Sequence, residues 1–197
     1  LRRNENDISL LEAQDRYALR IHAPAPGFEP LPLCKATPAA QREAETALLL
    51  ELREAGFCVQ RPVPATNGEL VPKLADGTPV TLLSWLAGES FDILFPDGDV
   101  PDAAAYAVGA LAGRLNVLMA RLAPRFSCVR PRYGENVVPL LAQRFEKARS
   151  LGVLEEKHLS ALRGALAALG PRMREAEGET GLGLCHADLS PGNFILN

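Results

Sequence analysis

Apolar positions change their rhythm along this chain. Residues 8–12 and 17–21 are short, partly alternating apolar segments on either side of the polar Ala13-Gln-Asp-Arg16, the pattern of a hairpin. Residues 24–37 are rich in proline and predict a loop. Thr37-Pro38 then reads as an N-cap followed by proline at the first helical position. Leu48, Leu49 and Leu52 carry that helix to about residue 55, where Gly56 stops it. Residues 58–63 are extended and punctuated by Pro62 and Pro64, Asn67-Gly68 signals a turn between strands, and residues 80–85 are apolar and β-prone. Beyond Gly88 the rhythm lengthens. A Pro/Asp-rich loop over 92–101 leads to predicted helices over 102–122, 137–151 and 155–177, the last broken at Gly170-Pro171. The end of the chain alternates between apolar 181–185, a polar turn and apolar 194–196.

Strands with one helix, then a connector, then mostly helices predict an α+β architecture of two lobes. The boundary falls at residues 1–86 and 87–197, and a cleft between lobes is a natural place for a small ligand. Composition removes other classes. The 197 residues are 47% hydrophobic and 23% charged, with net charge −3 and pI ≈ 5.7. That balance gives no footprint for nucleic acid and no basic run for a membrane surface. The longest mostly apolar runs, 80–87 and 103–111, fall short of the roughly 20 residues that span a bilayer. Four cysteines without a Cys-x-x-Cys pair and three scattered histidines argue against zinc and for reduced thiols in a cytoplasmic protein.

The chemistry concentrates in His186-Ala-Asp188-Leu-Ser-Pro-Gly-Asn193. This fits His-x-Asp-Leu-x-x-x-Asn, the catalytic-loop pattern of protein kinases. The spacing has a reason: an Asp must receive or orient the proton of an attacking hydroxyl, and an Asn five residues on offers an oxygen to Mg²⁺ on the nucleotide phosphates. At this composition chance alone would supply His-x-Asp-x4-Asn about 0.004 times in the chain, so an ordinary surface turn is the weaker reading.

Residues 186–193 resemble the catalytic loop of aminoglycoside phosphotransferases and their relatives, among them choline, homoserine and hydroxylysine kinases. The likeness runs through nearly the whole chain. Asn4-Glu-Asn6-Asp is similar to the phosphate-facing turn between the family's first two strands, and Tyr17-Ala-Leu-Arg20-Ile-His22 to its third strand. Leu82-Leu-Ser-Trp85-Leu-Ala-Gly88 resembles the hinge, and Arg130-Pro-Arg-Tyr133 ends a segment similar to bacterial phosphotransferases of uncertain substrate. The resemblance implies a protein-kinase-like two-lobed fold, with an antiparallel sheet and one helix, a hinge, and a largely helical second lobe carrying loop 186–193. It implies ATP and Mg²⁺ as cofactors and a small-molecule hydroxyl as acceptor.

The resemblance also assigns residues. Asp188 is the catalytic base or hydroxyl orienter and Asn193 the metal ligand, while Asn6, Arg20, Glu45, Ser84, Trp85 and Leu86 bind the nucleotide. His186 holds the loop in place. Arg20 stands where the family usually carries a Lys that pairs with a helix Glu and touches the phosphates, a substitution that is not conservative where geometry matters. Glu45 is its expected partner, in phase with Leu48, Leu49 and Leu52 near the apolar face, whereas Glu43 and Glu51 read as solvated. Backbone groups of 84–86 would hold adenine; Trp85 reads equally as a core residue. Asp92, Asp97, Asp99 and Asp102 read first as a solvated loop and second as an attraction for a cationic substrate. Ser190 replaces the Lys usual in protein kinases, which argues against a protein substrate.

The family's second metal-binding Asp would follow the loop by about a dozen residues. The chain therefore reads as cut after Asn197, and, opening on Leu1 rather than Met with most of the family's first strand absent, as cut before Leu1 too. Two other classes stay open: a non-catalytic kinase-like nucleotide-binding or interaction module, and a regulatory protein Ser/Thr kinase.

Overall fold

Antiparallel pairing begins where the sequence alternates. In the computed structural model, which describes residues 7–23, 31–180 and 183–196, β1 (Asp7–Glu12) and β2 (Arg16–Ile21) form the expected hairpin. Their register runs from Asp7 opposite Ile21 to Glu12 opposite Arg16. Asn6 and residues 24–30 of the predicted loop lie outside the described residues.

Helix α1 (Pro38–Glu54) starts and stops on the predicted signals. Thr37 Oγ1 accepts the Ala40 N–H at 3.2 Å, and Pro38 fills a first-turn position that needs no donor. At the far end Gly56 adopts φ +80°, donating to Arg53 O while Phe57 donates to Leu52 O at 2.9 Å. This pair of bonds satisfies the last carbonyls as a Schellman motif does.

The expected strand over 58–63 shrinks to β3 (Pro62–Val63), which pairs with β4 (Val80–Ser84) to complete a sheet of order β1-β2-β4-β3. Pro62 and Pro64 lack the N–H donors a longer ladder would need. Asn67-Gly68 does turn the chain, with Gly68 N–H on Ala65 O at 2.9 Å, but it lies outside the sheet. The hairpin into β4 is made instead at Asp76-Gly77, where Gly77 donates to Leu74 O and Lys73 bridges Pro79. It carries the same Asx-Gly signal.

Leu83 in β4 is 2% exposed, and burial of such a side chain contributes about 1.5–3 kcal/mol. Ala18, Val80 and Leu52 are buried with it in the same unit. β5 (Glu89–Ser90) leads into the single turn α2 (Phe91–Leu94), which takes up the start of the loop predicted over 92–101. Helix α3 (Asp102–Phe126) continues past 122 through Pro124, because Met119, Leu122 and Phe126 form a buried stripe and the proline sacrifices only one bond in the last turn. It is longer than the apolar runs suggest. By length and composition the segment Asp102–Val129 could cross a membrane, and 6% of its apolar window is buried within the chain. After residues 186–193 comes β6 (Ile195–Leu196), antiparallel to β5. Apolar residues 183–185 form no strand, since no neighbouring segment among the described residues pairs with them. The described residues 7–23, Ala36–Val129 and 184–196 make one compact unit.

The second unit joins residues 31–35 to the described residues from 130 to 183. In it α4 (Val137–Ser150) lies against α5 (Glu156–Thr180), with Leu159 fully buried. Helix α5 runs unbroken through Pro171, contrary to the sequence expectation. The turns beyond the proline have their own anchors: Arg174 grips the Glu135 carboxylate, and Glu177 accepts the Glu135 N–H at 2.9 Å. Those tertiary bonds offset what the proline removes.

Candidate active site

Three pieces of the first unit hold the described site residues that the sequence predicts. The first is a charged cluster between β2 and α1. Strand periodicity sends Arg20 of β2 and His22, one residue past it, to the same side, and helical periodicity brings Arg42 and Glu45 together one turn apart. The structure brings Arg20 and Glu45 together, Nη1 to Oε1 at 3.5 Å, with about a quarter of each side chain exposed. Arg42 holds the same carboxylate more closely, at 2.6 Å. Arg20 also donates to Gln60 Oε1 at 3.2 Å, while its buried Nε has no hydrogen-bond partner. Burial pulls the Arg20 pKa below its ordinary value; Glu45 opposes that and Arg42 adds to it. His22 lies within 3.0 Å of Thr81 Oγ1, and burial, with help from Arg42, lowers its pKa to about 4. It is neutral at pH 7. Arg42, His22 and Gln60 are not among the site residues expected from sequence. Spacing could have found the first two: Arg42 is one turn from Glu45, and His22 is two strand positions from Arg20. Gln60 carries no local signal.

The second piece is the hinge. Ser84 is tied to Arg61 twice: its N–H donates to Arg61 O and its Oγ accepts the Arg61 N–H, both at 2.8 Å. Its carbonyl accepts from Gln60 Nε2 at 3.2 Å. Trp85 donates its N–H to Arg16 O at 3.0 Å, and its side chain is 44% exposed rather than part of the core. Leu86 is half-buried, and its backbone groups make no hydrogen bond among the described residues. An open cavity of about 880 Å³ is lined here by Ser84, Trp85, Tyr17, Arg16 and Arg61. Arg20, Glu45 and Asp188 do not line it, nor do they line a second cavity of about 510 Å³ at Phe57, Arg114 and Val117.

The third piece is the loop. Asn193 Nδ2 reaches the Asp188 carbonyl at 3.0 Å, Asp188 Oδ2 at 2.9 Å and Ser190 Oγ at 3.0 Å. A 3₁₀ turn over Pro191–Asn193 makes this possible by bringing residue 193 back over 188. The amide that binds inward leaves the Asn193 Oδ1 acceptor outward-capable, and Asp188 keeps a second carboxylate oxygen without a protein partner among the described residues. Ala187 sits at φ 64°, the only non-glycine residue in the left-handed region among those described. The loop-holding role expected of His186 finds no bond to support it among the described residues. His186 is exposed, and the Asn193 amide performs that task.

What docks the loop beside the hinge is backbone. Glu89 pairs with Leu196 and Ser90 with Ile195, and Phe91 donates to Phe194 O at 2.9 Å. Gly88 permits the approach: at φ +119°, an added Cβ would lie 2.3 Å from Leu196 O. Asp92 leaves the acidic group it was read with. Like Asp97, Asp99 and Asp102 it is exposed, but its Oδ2 lies 3.2 Å from where a Cβ of Gly192 would be, which places it beside the loop.

Among the described residues no three His, Cys, Asp or Glu side chains form a metal cage. Asp188 and Asn193 together present oxygen donors, which suits a hard cation that keeps water and phosphate ligands. The orphaned Nε of a half-buried Arg20 likewise suits an anion. No curated protein matches the chain. A model of the phosphotransferase enzyme family does, over residues 3–197. Because that match takes in the β2–α1 pair, the hinge and the loop alike, the chain belongs to the phosphotransferase enzyme family and has its protein-kinase-like α+β fold.

Proposed function

We propose that the chain is an ATP-dependent, Mg²⁺-requiring kinase that transfers the γ-phosphoryl group to a hydroxyl of a small molecule. One observation carries the reading: a single amide, Asn193 Nδ2, holds Asp188 by both its carbonyl and its carboxylate. The Asp188 carboxylate is thereby aimed and leaves an oxygen to accept or orient a hydroxyl proton. Asn193 Oδ1 serves as the metal ligand. Mg·ATP, when bound, supplies the activated phosphoryl group and the charge neutralisation that such a loose transition state needs. Arg20 holds phosphate oxygens and Glu45 orients Arg20. Backbone groups of Ser84 and Leu86 receive the base, with Trp85 beside them.

Ser190 supports a small acceptor over a protein one. Its hydroxyl accepts from Asn193, a bond that a lysine at this position cannot make because it has no acceptor. The closer grip of Arg42 on Glu45 favours a second reading, a nucleotide-binding module without catalysis, since it leaves Arg20 more loosely paired.

The test is phosphoryl transfer from ATP, with and without Mg²⁺, against amines, amino acids, sugars and aminoglycosides. Asp188→Asn should abolish transfer, a loss of at least about 10³-fold, while the protein binds Mg·ATP and melts as wild type does. Binding without transfer by wild type supports the second reading. Absence of Mg·ATP binding in calorimetry overturns both.

A further inference from the structure

Gln60 hydrogen-bonds both the charged cluster and the hinge. It precedes β3 in an extended segment that no motif marks, and it is half-buried. Its side-chain amide uses both ends. Oε1 accepts from Arg20 Nη2 at 3.2 Å, 40 positions away in sequence; Nε2 donates to the Ser84 carbonyl at 3.2 Å, 24 positions away. The two atoms share one planar group, so the guanidinium and the hinge carbonyl are held at a fixed spacing.

The orientation of that amide follows from chemistry. Turned over, it would set an NH₂ against a guanidinium and an oxygen against a carbonyl, losing both bonds. Among the described residues, the other side chain paired with Arg20 is Glu45. Glu45 stands 3.5 Å away and is claimed at 2.6 Å by Arg42, and the Arg20 Nε is unpartnered. The hinge carbonyl keeps a second lone pair for a base amino group after Gln60 has taken one.

We propose that Gln60 is a positioning residue that couples the base end of the nucleotide site to its phosphate end, acting through Arg20 and through the Ser84 carbonyl. This rests on the kinase reading above. A ligand that carries only a base, or only phosphates, uses one of the two bonds; ATP uses both.

The full chain offers its own reporter. Trp85 is the only tryptophan, follows Ser84 directly and is 44% exposed. Its fluorescence can be titrated with Mg·ATP, Mg·tripolyphosphate and adenosine, with calorimetry alongside. Gln60→Met, similar in size but without the amide, should weaken Mg·ATP about 10-fold and each fragment about 3-fold. In an Arg20→Ala background the same change should leave tripolyphosphate affinity unaltered, a non-additivity that a merely structural role would not produce. Gln60→Asn, too short to reach both partners, carries the same expectation should Gln60→Met melt early.

If wild type binds Mg·ATP and the Gln60 variants bind it equally well, the coupling is wrong and the kinase reading stands. The coupling fails in the same way if Gln60→Met weakens tripolyphosphate as much without Arg20 as with it. If wild type binds none of the three probes, both fall.

Discussion

The loop over 186–193 and the cluster around Arg20 present opposite ways of building a polar site. In the loop, Asp188, Ser190 and Asn193 lie within six consecutive positions, all exposed, and one amide organises them. In the cluster, Arg20, Glu45, Gln60 and Thr81 come from four separate segments and stand partly or wholly out of solvent. The first arrangement depends on local geometry and its charge is solvated, so its residues can change with little cost to folding. The second depends on tertiary packing, and each charge needs its partner because water reaches it poorly. The two polar regions of one unit thus differ in how much of the fold rests on them.

Removing a carboxylate from each region gives the sharpest separation. Glu45→Ala leaves two guanidiniums, Arg20 and Arg42, near each other with only about a quarter of each exposed. Loss of the partner of a fully buried charge costs about 3–5 kcal/mol, and partial solvation reduces the expectation here to about 2–3 kcal/mol. Asp188→Asn should stay within about 0.5 kcal/mol of wild type, as exposed substitutions do. Denaturant unfolding of both variants checks this, and equal losses would erase the distinction.

Legibility follows the same division. The loop is readable because its chemistry fixes spacing within one short segment. The Arg20–Glu45 proximity is within reach only through the family resemblance, which implies a strand cation paired with a helix Glu; helical phase then singles out Glu45. Gln60 is not, since its two partners are 40 and 24 positions away and one polar residue before a two-residue strand has no pattern. Fold elements divide in this way too. The hairpin at 13–16 and the Gly56 helix stop are local events, and both occur as predicted. The continuity of α5 through Pro171 depends on Glu135, contacted by Arg174 39 positions later, so local proline propensity gives the wrong answer.

Acid provides a gentler probe of the buried side of the comparison. The folded pKa of His22, about 4, lies below the unfolded value of about 6.5. Its contribution to stability is thus fully present above pH 6.5 and is lost progressively as pH falls toward 4, because the unfolded chain takes up the proton first. With allowance for partial solvent screening, the loss should be about 1–2 kcal/mol. Unfolding free energies of wild type and His22→Gln between pH 7.5 and 4 isolate it. The difference between the two should narrow on the acid side, and a constant difference would place no proton linkage at His22.

The smallest effect belongs to the loop, where strain replaces burial as the local cost. Ala187 holds φ 64° between His186 and Asp188, a conformation that costs an L-residue roughly 1–2 kcal/mol and glycine almost nothing. Glycine returns part of that gain by enlarging the unfolded ensemble, by about 0.4–1 kcal/mol. Ala187→Gly should therefore stabilise the protein by about 0.5–1 kcal/mol, read as a rise of a few degrees or less in Tm. The bonds from Asn193 to Asp188 do not involve residue 187, so phosphoryl transfer should change by less than about 3-fold. A loss of stability would mean that residue 187 is not left-handed in solution. Loss of transfer with stability gained would mean that the methyl group helps to aim Asp188, giving the exposed loop a packing constraint of the kind the cluster has.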